Sequence, residues 1–282
     1  MNSFVHKILV GLCTTAALGT SIAQTTTTAA GEAAPEASPH TLTGNLALVS
    51  DYRFRGISQS YRRPAVQGGF DYVHSSGFYV GTWNSSVSGN SYNNGASLEM
   101  DFYGGYRFEP IGGFTADVGV LSYYYPGAKL NSAPGTPTDQ EYDTTELYFG
   151  LSSGSFSGKL SYAVTDYFGL DDETAGYAYW TSLPPKGDTK GTVYLDLNYN
   201  FDLGDKLVLG AHVGHLWVRH YGDLSYTDYK LSLTKEWAGL NLGLAIVGTD
   251  ADKDFYQVGN SAWQSPRKFG ATTAVVSIAK TF

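Results

Sequence analysis

The sequence predicts an all-β chain closed into a transmembrane antiparallel up-and-down β-barrel of about twelve strands. Three observations predict it. From Leu42 onward apolar and polar residues alternate with a period of two, the breaks between alternating stretches are short and long by turns, and the chain ends on Phe282 in phase with Ala274, Val276 and Ile278. Composition points the same way, with 34 Gly, 22 Tyr and 14 Phe against 2 Met and 1 Cys in 282 residues. Such a balance suits pleated strands, tight turns and aromatic belts. The net charge of −8 argues against nucleic acid as a partner, because phosphate backbones select basic faces.

Taken in order, the chain opens on residues 1–23, where Lys7 precedes an apolar run from Ile8 to Leu18 and then Ser21-Ile22-Ala23. This is the layout of a secretory signal peptide, with cleavage expected after Ala23. The run is shorter than the ~20 apolar residues that cross a bilayer as a helix. Lipoprotein processing at Cys13 is the weaker alternative, since bulky Leu12 stands where such sites carry a small residue. Cys13 then leaves with the leader, and loss of Lys7 takes the net charge to −9. Residues 24–41, rich in Thr, Ala and Pro without periodicity, read as a flexible periplasmic lead-in. No later run reaches the length of about 18 apolar residues, so a membrane-embedded chain must cross with strands.

The barrel is expected over 42–282, with strands at 43–55, 65–73, 78–87, 97–108, 114–125, 143–152, 156–167, 191–201, 206–219, 226–235, 239–249 and 270–282. In the first, Leu42, Gly44, Leu46, Leu48, Ser50, Tyr52 and Phe54 share one face. Thr43, Asn45, Ala47, Val49, Asp51, Arg53 and Arg55 share the other. A soluble sandwich would explain that alternation equally well. Loop length separates the two, because breaks after even strands are compact (His74 to Gly77, Ser153 to Ser155, Asp202 to Asp205) while those after odd strands run longer (Gly56 to Pro64, Pro126 to Tyr142, Phe168 to Lys190). A bacterial barrel with both ends in the periplasm has that parity, and a sandwich has no reason for it. The oily face of the first strand is therefore expected to meet outer-membrane lipid. Phe282 on its apolar row resembles the C-terminal signature read by the barrel-assembly machinery, with Lys280 as a departure that can snorkel.

Aromatic residues near strand ends, namely Tyr52, Phe54, Tyr72, Trp83, Tyr106, Phe108, Tyr123, Tyr124, Tyr162, Tyr199, Phe201 and Trp217, suit two interfacial girdles. Tyr177, Tyr179 and Trp180, in a long loop, suit either glycan contact or packing within the loop. Inward glycines such as Gly69, Gly81, Gly105, Gly119, Gly150, Gly210, Gly214 and Gly243 favour an open cross-section, or relieve crowding and let the sheet bend.

Residues Ser50 to Ser60 (SDYRFRGISQS), Pro64 to Tyr72 (PAVQGGFDY), Gly77 to Trp83 (GFYVGTW) and Glu99 to Tyr106 (EMDFYGGY) resemble the TorF-type porins of Gram-negative outer membranes. The match covers the first strands, and Ser86 departs from it where Asn is more usual. What the resemblance implies is an exported outer-membrane barrel with channel activity, with no solute assigned.

Lumen-facing charges, the candidates for solute selection, are Asp51, Arg53, Arg55, Asp71, Glu99, Asp101, Arg107, Asp117, Glu146, Lys159, Asp196 and Lys230. They point inward because a basic residue at the lipid midplane would cost ~2–4 kcal/mol. On one reading Arg53 and Arg55 form a basic ladder opposite Asp71, Glu99 and Asp101, whose transverse field orients small polar solutes. On the other, the same groups neutralise one another and fill the barrel with paired charge. The first gives a porin for passive diffusion, without a cofactor or metal. The second gives a closed structural or surface-interaction barrel acting through its outer loops. An outer-membrane hydrolase is the rival class, but His215 faces lipid and His212 the lumen, and the one rim grouping is His220 with Asp171 and Asp172. No GxSxG, HExxH, Walker or paired CxxC pattern occurs.

Overall fold

Residues 38–89, 91, 95–110, 112–130, 140–175, 183–258 and 267–282 are described by a computed structural model of the chain. The expected leader, residues 24–37 of the lead-in and the loop aromatics Tyr177, Tyr179 and Trp180 lie outside the described residues.

Strand β1 (His40–Val49) leads into two short segments, β2 (Arg53–Phe54) and β3 (Ile57–Ser58), before β4 (Ala65–His74) and β5 (Phe78–Ser86). Then follow β6 (Leu98–Phe108), β7 (Thr115–Tyr124), β8 (Thr144–Ser153), β9 (Phe156–Ala163), β10 (Val193–Asp202), β11 (Leu207–Trp217), β12 (Tyr226–Trp237) and β13 (Leu240–Thr249). A two-residue ribbon of β14 (Gln257–Val258) and β15 (Arg267–Lys268) precedes the last strand, β16 (Thr273–Thr281). Twelve strands form one closed antiparallel barrel, in which each long strand pairs with its neighbours in sequence and β1 closes on β16. At the closing seam Asn45 faces Thr281 and Val49 faces Ser277. Gly44 and Phe282 extend the seam with two backbone bonds of 2.7 and 2.9 Å. The Phe282 ring lies over Gly44, where a Cβ would come within 2.8 Å of it. The terminal aromatic thus completes the ring of hydrogen bonds that removes the sheet edge.

Turns at one end are short (75–77, 154–155, 203–206, 238–239), while the connections at the other include 50–64, 125–143 and 164–192. The parity is as the sequence predicts, and so are most strand boundaries. Outward rows are apolar: Leu46 is 52% exposed and Leu48 54%, with Phe70, Leu147, Leu231, Leu244 and Val276 similarly open on the outer surface. Inward rows carry the polar alternates, as a lipid-facing barrel requires.

One expectation fails at β1. The first strand does not run to Arg55 but leaves the wall after Val49, and Tyr52 (1% exposed) and Phe54 (5%) are buried inside the barrel rather than facing outward. The physical reason lies in three local features. Asp51 accepts hydrogen bonds from the hydroxyls of Ser58 (2.6 Å) and Ser60 (3.2 Å), tying the ends of the segment together. Arg55 (φ 45°) and Gly56 (φ 76°) then make a two-residue turn of left-handed residues, the backbone that a tight hairpin demands. Phe54 pairs with Ile57 across it. Trp83 and Tyr123, expected in the girdles, are likewise buried in the interior, whereas Tyr124, Tyr162, Tyr199, Phe201 and Trp217 are exposed.

At four of the inward glycines, Gly81, Gly105, Gly119 and Gly214, tyrosines fill the space rather than leave an open bore. Gly81 is covered by Tyr103 and Gly119 by Tyr148, each its direct cross-strand partner. A Cβ at Gly119 would collide with both the Tyr148 hydroxyl and the Gly104 carbonyl, whereas one at Gly150 finds its nearest neighbour at 3.6 Å. Gly119→Ala is therefore expected to cost about 1–3 kcal/mol and Gly150→Ala little, as read by urea unfolding in lipid vesicles.

Candidate functional site

Ser50 is still held at the wall, exchanging bonds of 2.9 Å with Val276 through its backbone N–H and its side-chain oxygen. Beyond it the 51–61 segment turns into the barrel, and every one of those residues is buried. The hairpin tip crosses the lumen. Arg55 Nη2 donates to both carboxylate oxygens of Glu146 on β8, at 2.8 and 2.7 Å, and β8 stands almost opposite β1 in the ring of strands. The two side chains are 1% and 2% exposed. The guanidinium also lies 4.2 Å from the Tyr194 ring centre and 4.8 Å from that of Phe54, a stacked and desolvated setting that strengthens its attraction to the aromatic faces. Its Nη1 donates to the Tyr167 hydroxyl at 3.0 Å. Burial pushes that hydroxyl up to about 12, against the opposing pull of Arg55, so Tyr167 stays neutral.

Two further links seat the hairpin. Tyr52 donates its hydroxyl to Glu99 at 2.5 Å, and Tyr125 donates to the other oxygen of the same carboxylate at 2.9 Å. Arg53 Nε donates to Asp51 at 2.7 Å, and its Nη1 reaches the carbonyls of Gly56 (3.0 Å), Phe269 (2.5 Å) and Ala271 (3.3 Å). Around the hairpin the loop end of the barrel is packed with rings: Phe54 meets Tyr123 and Phe168 edge-on at 5.3 and 5.7 Å, and Tyr61 meets Phe269 at 5.6 Å. Leu130, Leu170, Leu216 and Tyr221 complete this buried cluster. The long 164–192 connection thereby contributes to the closure, and Phe168, Leu170 and Leu183 do not hang free on the outside.

Toward the turn end the tyrosines of one wall take up the inward acids. Tyr103 donates to Asp71 at 2.5 Å, Tyr79 to Asp117 at 2.5 Å, and Arg107 pairs with Asp117 at 3.1 Å. Lys159 lies 5.7 Å from the Tyr148 ring centre. The other wall is different. There a polar chamber of about 80 Å³, partly open to solvent, is lined by Gln67, Asp196, Asn198, His212, Asp228 and Lys230, and by Arg53 and Gly56 of the hairpin. His212 bridges two carboxylates, Asp196 at 3.2 Å and Asp228 at 2.7 Å. Tyr194 donates to Asp228 at 2.9 Å.

Asp71, Glu99, Asp101, Arg107, Asp117, Glu146, Lys159, Asp196 and Lys230 thus sit on barrel strands, while Asp51, Arg53 and Arg55 lie on the hairpin. The basic ladder of Arg53 and Arg55 facing Asp71, Glu99 and Asp101 does not form: Arg53 turns to Asp51 and Arg55 crosses to Glu146. Asp228 and His212 join the chamber although they stand outside the predicted set. Their signal was present, since Asp228 is in phase with Lys230 and His212 with Gly210 and Gly214 on an inward row. The rim grouping of His220 with Asp171 and Asp172 is also corrected, because the His220 ring lies 2.7 Å from the Asp188 carbonyl. His215 packs against Trp217 with ring centres 4.2 Å apart and the rings tilted by 56°, and it bonds Thr227. Among the described residues no three of His, Cys, Asp and Glu are placed to hold a metal ion.

A family model described as "Bacterial protein of unknown function (Gcw_chp)" matches residues 33–282. No curated protein matches the chain. Solved structures similar to it include the KdgM porin (7% identity, 86% of this chain and 99% of that one, TM-score 0.47). Others are the NanC porin (9%, 86% and 98%, 0.46) and outer membrane phospholipase A from Escherichia coli (13%, 85% and 95%, 0.39). None of these likenesses extends to a solute or an activity, and the twelve-stranded closure is read from the chain's own strand pairing.

Proposed function

The chain belongs to the Gcw_chp family of bacterial proteins, and from the geometry of its lumen we propose that it is an outer-membrane porin whose bore is narrowed by its own inward hairpin. Small hydrophilic solutes pass by diffusion along the chamber wall, and no cofactor takes part. The single observation that carries this reading is the polar chamber inside a barrel whose outer rows are apolar. Charged groups are affordable there only because the lumen is wet or paired, and apolar rows are stable there only against lipid. The resemblance to TorF-type porins supports the same reading, as does a signal peptide at 1–23, which would deliver the chain to the envelope. Phe282 at the closing seam is where the barrel-assembly machinery would engage.

Conductance of the refolded chain in planar bilayers tests it. Small, discrete ion-conducting steps are expected, and a chain that inserts but never conducts contradicts the porin reading. Reversing the hairpin charges, Arg53→Glu with Arg55→Glu, is expected to shift the reversal potential in a salt gradient and also to enlarge the steps, since a glutamate at 55 repels Glu146. A closed barrel acting through its outer loops is the second reading, favoured by the ring-packed loop end. Under it both the wild type and the charge-reversed chain are silent.

A further inference from the structure

The chamber is unevenly furnished with charge, and this bears on what it holds. Each carboxylate that lines it is engaged. Asp51 is taken by Arg53 and by the Ser58 and Ser60 hydroxyls. Asp196 is taken by His212 and Asn198, and Asp228 by His212 and Tyr194. The two arginines are likewise committed, to Asp51 with three carbonyls and to Glu146. Lys230 differs from all of these. It lines the chamber half-buried, pairs with His212 across the β11–β12 ladder, feels the charges of Asp196 and Asp228, and makes no hydrogen bond among the described residues.

Two other polar atoms on residues of the same chamber also lack a partner among the described residues. They are Arg53 Nη2 and Ser277 Oγ, both buried. Beside the charged row, on the two adjoining strands β13 and β16, Ala245, Val247 and Val275 form a small apolar cluster in which Val247 is the direct cross-strand partner of Lys230. An ammonium with open donor positions, in one chamber with unfilled hydrogen-bonding groups and beside an apolar patch, is complementary to an anionic head on a short apolar body.

We propose that the chamber beneath the hairpin is a binding station for small organic carboxylates, with Lys230 holding the carboxylate and the Ala245, Val247 and Val275 patch receiving the apolar body. This deepens the porin reading, since a station on the diffusion path selects what crosses. The site itself stands whether or not the barrel conducts.

The test is isothermal titration of the refolded full-length protein in detergent with isovalerate, alongside isovaleramide and inorganic phosphate. Isovalerate is expected to bind, and the uncharged amide and the bare anion to bind at least about tenfold more weakly. Lys230→Met is expected to weaken isovalerate by about tenfold or more while Lys230→Arg retains it, and Val275→Asp, which leaves Lys230 in place, is expected to weaken it as well. Absence of isovalerate binding, equal binding of the amide, or unchanged binding by Lys230→Met overturns the proposal. Phosphate binding as tightly as isovalerate overturns the carboxylate class. Bilayer conductance of the same preparation is read separately, so failure of the station and failure of the porin reading are told apart.

Discussion

Glu146→Ala is expected to cost about 3–5 kcal/mol of barrel stability and to release the hairpin tip from the far wall. The reason is asymmetry in what remains. Glu146 and Arg55 are buried together, so removing the acid leaves a guanidinium away from water with Tyr167 as its remaining hydrogen-bond partner. Its Nε already has no partner among the described residues, so the loss falls on a group with nothing in reserve. The paired replacement Arg55→Met with Glu146→Leu is expected to recover most of the loss, because it removes both desolvated charges at once. Urea titrations in lipid vesicles, followed by tryptophan fluorescence, measure both. A single variant within about 1 kcal/mol of the wild type would show that the pair is exposed and the hairpin does not cross the lumen.

Gly56→Val is expected to enlarge the ion-conducting step several-fold while leaving the barrel closed. Gly56 holds φ 76°, a backbone that a β-branched residue resists, and its missing side chain is the space that Thr249 and Asp228 occupy. A Cβ there would lie 2.8 Å from the Asp228 Cβ and closer still to the Thr249 methyl. Neither neighbour can retreat, since both belong to the barrel wall at β12 and β13. The hairpin must move instead. Conductance checks the opening, and resistance to denaturant at the wild-type level shows that the strands still close. Unchanged conductance in a folded variant would mean that the hairpin does not limit the current.

The sequence carried the barrel itself almost completely, because alternation, loop parity and the terminal aromatic all report the same physical constraint: one face of every strand is apolar and points outward, and the other lines the interior. Strands such as β12 and β13 were legible from rows like Tyr229, Leu231 and Leu233, whose partners are polar. The inward hairpin was not legible. Leu46, Leu48, Tyr52 and Phe54 keep perfect phase, and nothing in that phase distinguishes leucines that face outward from aromatic rings that turn inward to pack with Trp83 and Tyr123. A period of two describes the strand-like backbone of 53–58 but not which sheet it joins. The local signal was Arg55-Gly56, a turn flanked by Ser and Asp able to close it, and its weight against a continuing strand is a matter of tertiary contact.

The charges followed the same division. Those on strands were placed inward by phase alone, but partners depend on which side chains cross the lumen. Arg55 reaching Glu146, 91 residues away, is set by the hairpin and not by strand register. Of the two readings of the inward glycines, relief of crowding holds at Gly105, Gly81 and Gly119, the seats on which Tyr79, Tyr103 and Tyr148 lie. Small residues on one strand report room only when the residues beside them on the next strand are also small.

In the proposed porin the 51–62 segment is what narrows the bore of the twelve-stranded barrel most. Single-channel recording of the full chain beside a variant in which residues 52–62 are replaced by Gly-Ser-Gly tests it most directly, since β1 and β4 are adjacent and need only a short link. The account predicts small steps from the wild type and several-fold larger steps from the variant. Equal steps from both, or silence from a variant that inserts and remains folded, would contradict it.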